Sequence, residues 1–253
     1  MWMRLRQIAL VAEDLAVAES ELIEVLGLEV CYRDPGVEVF GLNNILLPVG
    51  NQLLEVVAPF KEDTAGGRYL ERRGGDGGYM VITQVDDHGP RVERVKELGI
   101  RTVSYRDGED YGLMQLHPKD TGGSFFEIDE QRGANAHDLD GPWHPAGPNW
   151  QRAKQLGRVS GISAAEVQCD DPDAVAHRWS EIAQIPVNNN TIQLDNAVLR
   201  FVECLDGRPE GLGAIDVVCS DAEAILSAAQ KLDAQSAENQ VMLCGIRINL
   251  VGE

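Results

Sequence analysis

The sequence predicts an α+β fold built from one supersecondary unit used four times. Three observations predict it. Apolar strand-like runs are each followed by an acidic turn and a helical pattern, at Arg6–Ala12, Tyr79–Asp87, Ile162–Cys169 and Ala214–Cys219. Short alternating runs then follow, cut by turn signals such as Pro35-Gly36, Asn43-Asn44 and Gly50-Asn51. A stretch rich in Gly, Pro, Trp and His, Gly133 to Asn149, separates the first two copies from the last two.

In the first copy Ile8, Leu10 and Ala12 alternate with Gln7, Ala9 and Val11, so Gln7 stands on the face opposite Ile8. A helix is expected over Leu15–Leu26, stopped by Gly27. Strands are expected at Glu29–Arg33, Val37–Leu42, Ile45–Val49 and Gln52–Ala58. AGGRYLERRGGDGG, residues 65–78, is glycine-rich but lacks the strand-to-helix setting of a phosphate loop, and reads as an inter-module connection. The second copy continues with a helix over Pro90–Leu98 and strands at Arg101–Arg106, Tyr111–His117 and Ser124–Asp129. The third has a helix over Ala174–Ala183 and strands at Thr191–Leu194 and Val198–Cys204. The fourth has a helix over Asp221–Leu232 and a strand over Gln240–Val251. The expected division is an N-terminal domain over 1–131, a linker over 132–157 and a shortened C-terminal domain over 158–253.

Composition narrows the function. The chain has 253 residues, with 22 basic and 41 acidic side chains and a net charge of -19. Both halves are acidic, so no basic face offers itself to a phosphate backbone or an anionic membrane. Nucleic acid and membrane partners are therefore not expected, and no apolar run is long enough to span a bilayer. Glu13 and Asp14 interrupt what would have to be a signal core, so no signal peptide is expected. Five cysteines without a CxxC pair read as reduced core residues of a cytoplasmic protein.

Two carboxylates stand out. Glu55 lies in LLEVV and Glu127 in FFEID, each inside an apolar strand. A buried unpaired charge is costly, so such a group calls for a cation, a metal or a proton. With Gln7 they form an all-oxygen set suited to a hard divalent ion rather than to structural zinc. The same carboxylates also fit a solvated strand face, since a period-two strand allows one polar side.

The pattern resembles the vicinal oxygen chelate superfamily, which includes glyoxalase I, methylmalonyl-CoA epimerase, extradiol dioxygenases and bleomycin-resistance proteins. The strongest match is HPKDTGGSFFEIDE, residues 117–130, with QLLEVVAP, residues 52–59, in support. The resemblance implies four βαβββ modules in two pairs, whose curled mixed sheets form half-barrels. It implies metal ligands at Gln7, Glu55 and Glu127, with Met80 at a fourth position where the family commonly has His. Gln at the first position is known in the family; a thioether is a soft ligand for a hard ion. The matching positions of the second half are Ala164 and Ala214, so no metal site of this type is expected there.

The implied function is a glyoxalase- or epimerase-like enzyme acting on a small carbonyl or thioester substrate. The divalent ion (Ni, Mn, Co, Mg or Fe) would be the Lewis acid, and Glu127 or Glu55 would move the proton. The alternative is a metal-free small-molecule-binding protein of bleomycin-resistance type, with no cofactor, which Met80 favours. Extradiol chemistry ranks last, because it wants two His and one carboxylate. Met80 and His117 are expected to line the pocket, although loop hydrogen bonding also accounts for His117. Trp143 and Trp150 are expected to anchor the linker to the core. Four modules can pair within one chain, so a monomer and a homodimer are both compatible.

Overall fold

The structure is a computed structural model that describes residues 1–252. The first half runs β1 (Met3–Val11), α1 (Leu15–Leu26), β2 (Leu42–Val49), β3 (Gln52–Pro59), α2 (Ala65–Arg73), β4 (Gly77–Val85), α3 (His88–Glu97), β5 (Thr102–Asp107), β6 (Tyr111–Leu116), α4 (Pro118–Thr121) and β7 (Phe125–Gln131). The second runs β8 (Val159–Cys169), α5 (Pro172–Ala183), β9 (Val187–Asn188), β10 (Thr191–Gln193), β11 (Val198–Glu203), β12 (Gly211–Cys219), α6 (Ala222–Lys231), β13 (Gln235–Ala237), β14 (Gln240–Leu243) and β15 (Ile246–Val251). They form a seven-stranded sheet, β2-β3-β1-β4-β7-β6-β5, and an eight-stranded sheet, β13-β14-β15-β12-β8-β11-β10-β9.

The two sheets share one plan. In the first, β1 is parallel to β3, β4 is parallel to β7, and an antiparallel β1–β4 seam joins the two modules. In the second, β8–β11, β12–β15 and the β8–β12 seam repeat it. The recurring acidic turn has a local cause. Asp14, Asp87, Asp171 and Asp221 are N-caps whose side chains accept backbone N–H bonds at the starts of α1, α3, α5 and α6. Such a cap is worth about 1 kcal/mol.

Four expectations need correction. Val37–Leu42 is not a strand: Pro35–Phe40 forms a 3-10 turn capped by Asp34, and Gly41 ends it at φ 73°. Glu29–Arg33 makes only an isolated bridge, Tyr32 to Leu46. The glycine-rich connection contains α2, because Thr64 caps it and Tyr69, Leu70 and Arg73 bury one face; that burial outweighs the propensity cost of Gly66 and Gly67. Gln240–Val251 is a hairpin, β14–β15, turning at Cys244 (φ 47°) and Gly245 (φ 70°). A Cβ on Gly245 would meet Asp76 O at 1.8 Å, so the turn also seats against the first half.

One core cluster joins both halves. It takes Ile8, Leu10, Val81, Phe126 and Ile128 from one sheet, and Ala165, Val167, Ile215, Val217 and Ile248 from the other. Phe126 stacks on Trp179 at 4.2 Å between centroids. Helix α1 packs on α6, α3 on α5, and β4 on β12. Helices α1, α3, α5 and α6 thus lie between the sheets, while α2 packs with Met80 and Phe125, and the alternate strand residues line two outer faces turned away from each other. A bulge between Leu5 and Gln7 changes the strand's parity, so that Leu5 and Ile8 both face the core. All five cysteines are free. No helix among the described residues is long and apolar enough to cross a membrane.

Candidate functional site

The outer face of the first sheet carries the candidate residues on two adjacent rows. Glu55 on β3 pairs with Ala9 on β1, and Ala9 with Met80 on β4. Gln7 pairs with Ile82, Ile82 with Glu127 on β7, and Glu127 with Gln115 on β6. The four positions matched to the family therefore surround the β1–β4 seam on one face. His117 stands apart: it ends the β6 segment, caps α4, and accepts from Lys119 N through Nδ1 at 3.2 Å.

The acids are buried without cations. Glu55 is 7% and Glu127 6% exposed, and Asp129 is fully buried. None of the three has a Lys or Arg partner among the described residues. Gln7 Nε2 donates to Glu55 Oε2 at 2.8 Å, and Asn44 Nδ2 donates to Oε1 at 2.6 Å. Burial nevertheless pushes Glu55 up to about 7, against the pull of those two donors. Burial also raises Glu127 and Asp129, and the two carboxyls, side by side on one face of β7, raise Glu127 further. The Tyr111 hydroxyl donates to Asp129, and Met114 N donates to it at 3.4 Å. Half-buried Met80 receives Gln115 Nε2 on its sulfur at 2.8 Å.

The segment between the halves lies across this face as a strap. Arg4 donates to His137 O and Asp138 O, and Arg6 to Leu139 O and Gly141 O. The Arg6 guanidinium lies 5.4 Å from the Trp143 ring centroid and 5.1 Å from that of Trp150. Burial lowers its pKa to about 9. Trp143, Ala146 and Trp150 pack with Ala9, Leu46, Leu53, Ile82 and Tyr111 in one cluster. Trp143 Nε1 donates to Gln7 Oε1 at 2.8 Å.

This bonding bears on the ion that the resemblance implies. A hard ion wants free oxygen lone pairs. Here the Gln7 oxygen is engaged by an indole, its NH2 faces Glu55, both Glu55 oxygens receive amide N–H bonds, and Met80 offers only sulfur. Among the described residues no three His, Cys, Asp or Glu side chains converge as a metal cage. As bonded, the set does not fit a divalent ion.

Sequence reasoning missed Asn44, Asp129 and Tyr111. Asp129 was accessible, because period two from Glu127 puts it on the same face. Asn44 sat in what read as a turn, and Tyr111 carried no signal.

No family model matches the chain. Mitochondrial methylmalonyl-CoA epimerase of Mus musculus is 30% identical over 132 residues, covering 50% of this chain and 72% of the relative. The Homo sapiens enzyme is 26% identical over 130 residues, covering 50% and 73%. Among solved structures, Streptomyces coelicolor methylmalonyl-CoA epimerase in complex with 2-nitronate-propionyl-CoA aligns with a TM-score of 0.47 at 22% identity, over 53% of this chain and 100% of that one. The Mycobacterium tuberculosis epimerase aligns with a TM-score of 0.45 at 25% identity, over 53% and 91%. With two carboxylate strands set about an antiparallel seam and a curated relative covered over most of its length, the chain belongs to the methylmalonyl-CoA epimerase family of the vicinal oxygen chelate superfamily.

Proposed function

We propose that this chain moves a proton at the carbon beside the carbonyl of an acyl-CoA thioester, as an isomerase of the epimerase type. One observation carries the reading. Glu55 and Glu127 are buried carboxylates without cationic partners, on β3 and β7, either side of the β1–β4 seam. Inversion at carbon needs one group to take the proton from one face and another to return it on the opposite face. A carboxyl near 7 populates both forms at neutral pH, and Glu55 meets that condition. Asn44 and Gln7 fix its oxygens, while Asp129 and Tyr111 support Glu127 from beside it. Half-buried Met80, Leu113 and Phe125 give the acyl group an apolar wall. A metal-loaded form, with the ion on Gln7, Glu55 and Glu127, requires Gln7 to turn its oxygen from Trp143 to the ion.

The test is proton NMR of methylmalonyl-CoA and propionyl-CoA in D2O. The α-proton signal should disappear with the wild-type protein and persist with Glu127→Gln. Persistence with the wild type would overturn the reading. A second reading, a metal-free binding protein, is favoured by Met80 at a ligand position and by the strap packing onto the face that carries the acids. In that case acyl-CoA would raise Tm while no exchange occurred.

A further inference from the structure

We propose that Trp143, carried by the strap between the halves, decides what Gln7 does. Its indole holds the amide oxygen away from the acids and turns the NH2 onto Glu55, so that position 7 orients a base instead of ligating an ion. This deepens the proton-transfer reading, on which it rests for the role of Glu55, by naming the residue that positions it.

The orientation is fixed from the indole end. An indole N–H can only donate, so it requires the Gln7 oxygen and leaves the NH2 for Glu55, whose ionised form can only accept. Trp143 Nε1 meets Gln7 Oε1 at 2.8 Å, and Gln7 Nε2 meets Glu55 Oε2 at 2.8 Å. Flipping the amide would set N–H against N–H at Trp143 and, with Glu55 ionised, oxygen against oxygen, in a place where Gln7 is 2% and Trp143 1% exposed. Water cannot make good the loss. The indole has little freedom to withdraw. Its ring meets Tyr111 edge-on at 5.6 Å. Arg6 covers it and is tied to the strap's own carbonyls at Leu139 and Gly141. Asn44 holds the second Glu55 oxygen, and its own Oδ1 accepts from Asp34 N at 2.8 Å. The relay runs from the strap to the amide to the carboxylate. Trp143 is thus a positioning residue that acts through Gln7.

Two measurements on the full chain test this, and neither uses turnover. In the first, Mn2+ is titrated and followed by water proton relaxation. Trp143→Phe keeps an aromatic ring and removes the N–H, which frees the Gln7 oxygen. It should bind Mn2+ at least tenfold more tightly than the wild type, and Trp143→Phe with Gln7→Leu should lose that gain. Equal affinity in wild type and Trp143→Phe would overturn the proposal. The second is the indole 15N–1H spectrum, in which the Trp143 signal is assigned by its loss in Trp143→Phe or, should that variant not fold, by its contact with the Gln7 side chain. In Gln7→Leu that signal should move and exchange faster with water; an unmoved signal would overturn the proposal. If the NMR exchange assay finds no epimerase chemistry while both of these hold, the function fails and the relay stands.

Discussion

On the first sheet Glu55 pairs with Ala9; at the corresponding register of the second sheet Arg200 pairs with Glu166. Carried across, the same plan puts Ala164 where Gln7 stands, Ala214 where Met80 stands and Asn249 where Glu127 stands. The second face is a closed network. Arg200 grips Asp216 through two bonds of 2.6 and 2.7 Å, Arg247 bonds Glu166 at 2.7 Å, and Asn249 bonds Asp216 at 2.7 Å. Burial alone would raise Asp216, but the Arg200 and Asn249 bonds outweigh it and hold the carboxyl below the usual range. On the first face no cation answers the acids, and they rise instead. One scaffold therefore supports two chemistries. Paired charges give a partly exposed polar face, whereas unpaired buried carboxylates are pushed up, Glu55 to about 7.

The largest way to break this comparison is to neutralise Glu127. Glu127→Gln should slow acyl-CoA proton exchange by about 10²–10⁴-fold with no loss of Tm. If Arg200→Ala slowed exchange as much, the division of labour between the faces would fail. Arg200→Ala should act on stability instead. It strips Asp216 of its two-bond partner, and because Arg200 is partly exposed the expected cost is about 1–2 kcal/mol in urea unfolding. An unchanged midpoint would show that the network is not a stabilising one.

A smaller effect separates the faces by pH. The folded pKa of Glu55, about 7, exceeds its ordinary 4.5, so folding takes up a proton between those values. The stability it contributes is fully present below about 4.5 and is lost as pH rises through about 7. Wild-type Tm should thus fall relative to Glu55→Gln between pH 5 and pH 8, and parallel curves would remove the assignment. Asp216 has the opposite sign: its stability is present at neutral pH and lost as pH falls through its depressed pKa. The smallest effect is at His117. Its contacts are local to the α4 cap, so His117→Ala should cost about 0.5–1 kcal/mol and leave exchange within twofold. A larger drop in exchange would bring His117 into the site.

Much of the fold was legible because its signals are local. The Asp caps at the four turns and the period-two strands need only a few neighbouring residues to be recognised. The errors lie where local pattern was overruled. Residues 37–42 alternate like a strand, yet Pro35 and the Asp34 cap wind most of them into a 3-10 turn. Residues 240–251 read as one strand until Gly245 is seen to turn under Asp76. Within the site, Gln7, Glu55, Met80 and Glu127 were matched through the resemblance to the family, and strand pairing is what sets them about one seam. Asn44 had no such signal, because only pairing between β2 and β3 brings it to Glu55.

By itself, then, the sequence determined the repeated module and singled out two carboxylates inside apolar strands, since periodicity and capping act over a few residues. Only the tertiary structure decided their partners. Trp143 lies 136 residues from Gln7. The amide's direction, the packing of the strap on the outer face and the absence of a cation beside the acids among the described residues are properties of what is packed against what. Donor and acceptor must meet within about 3 Å, and only the folded chain brings them there.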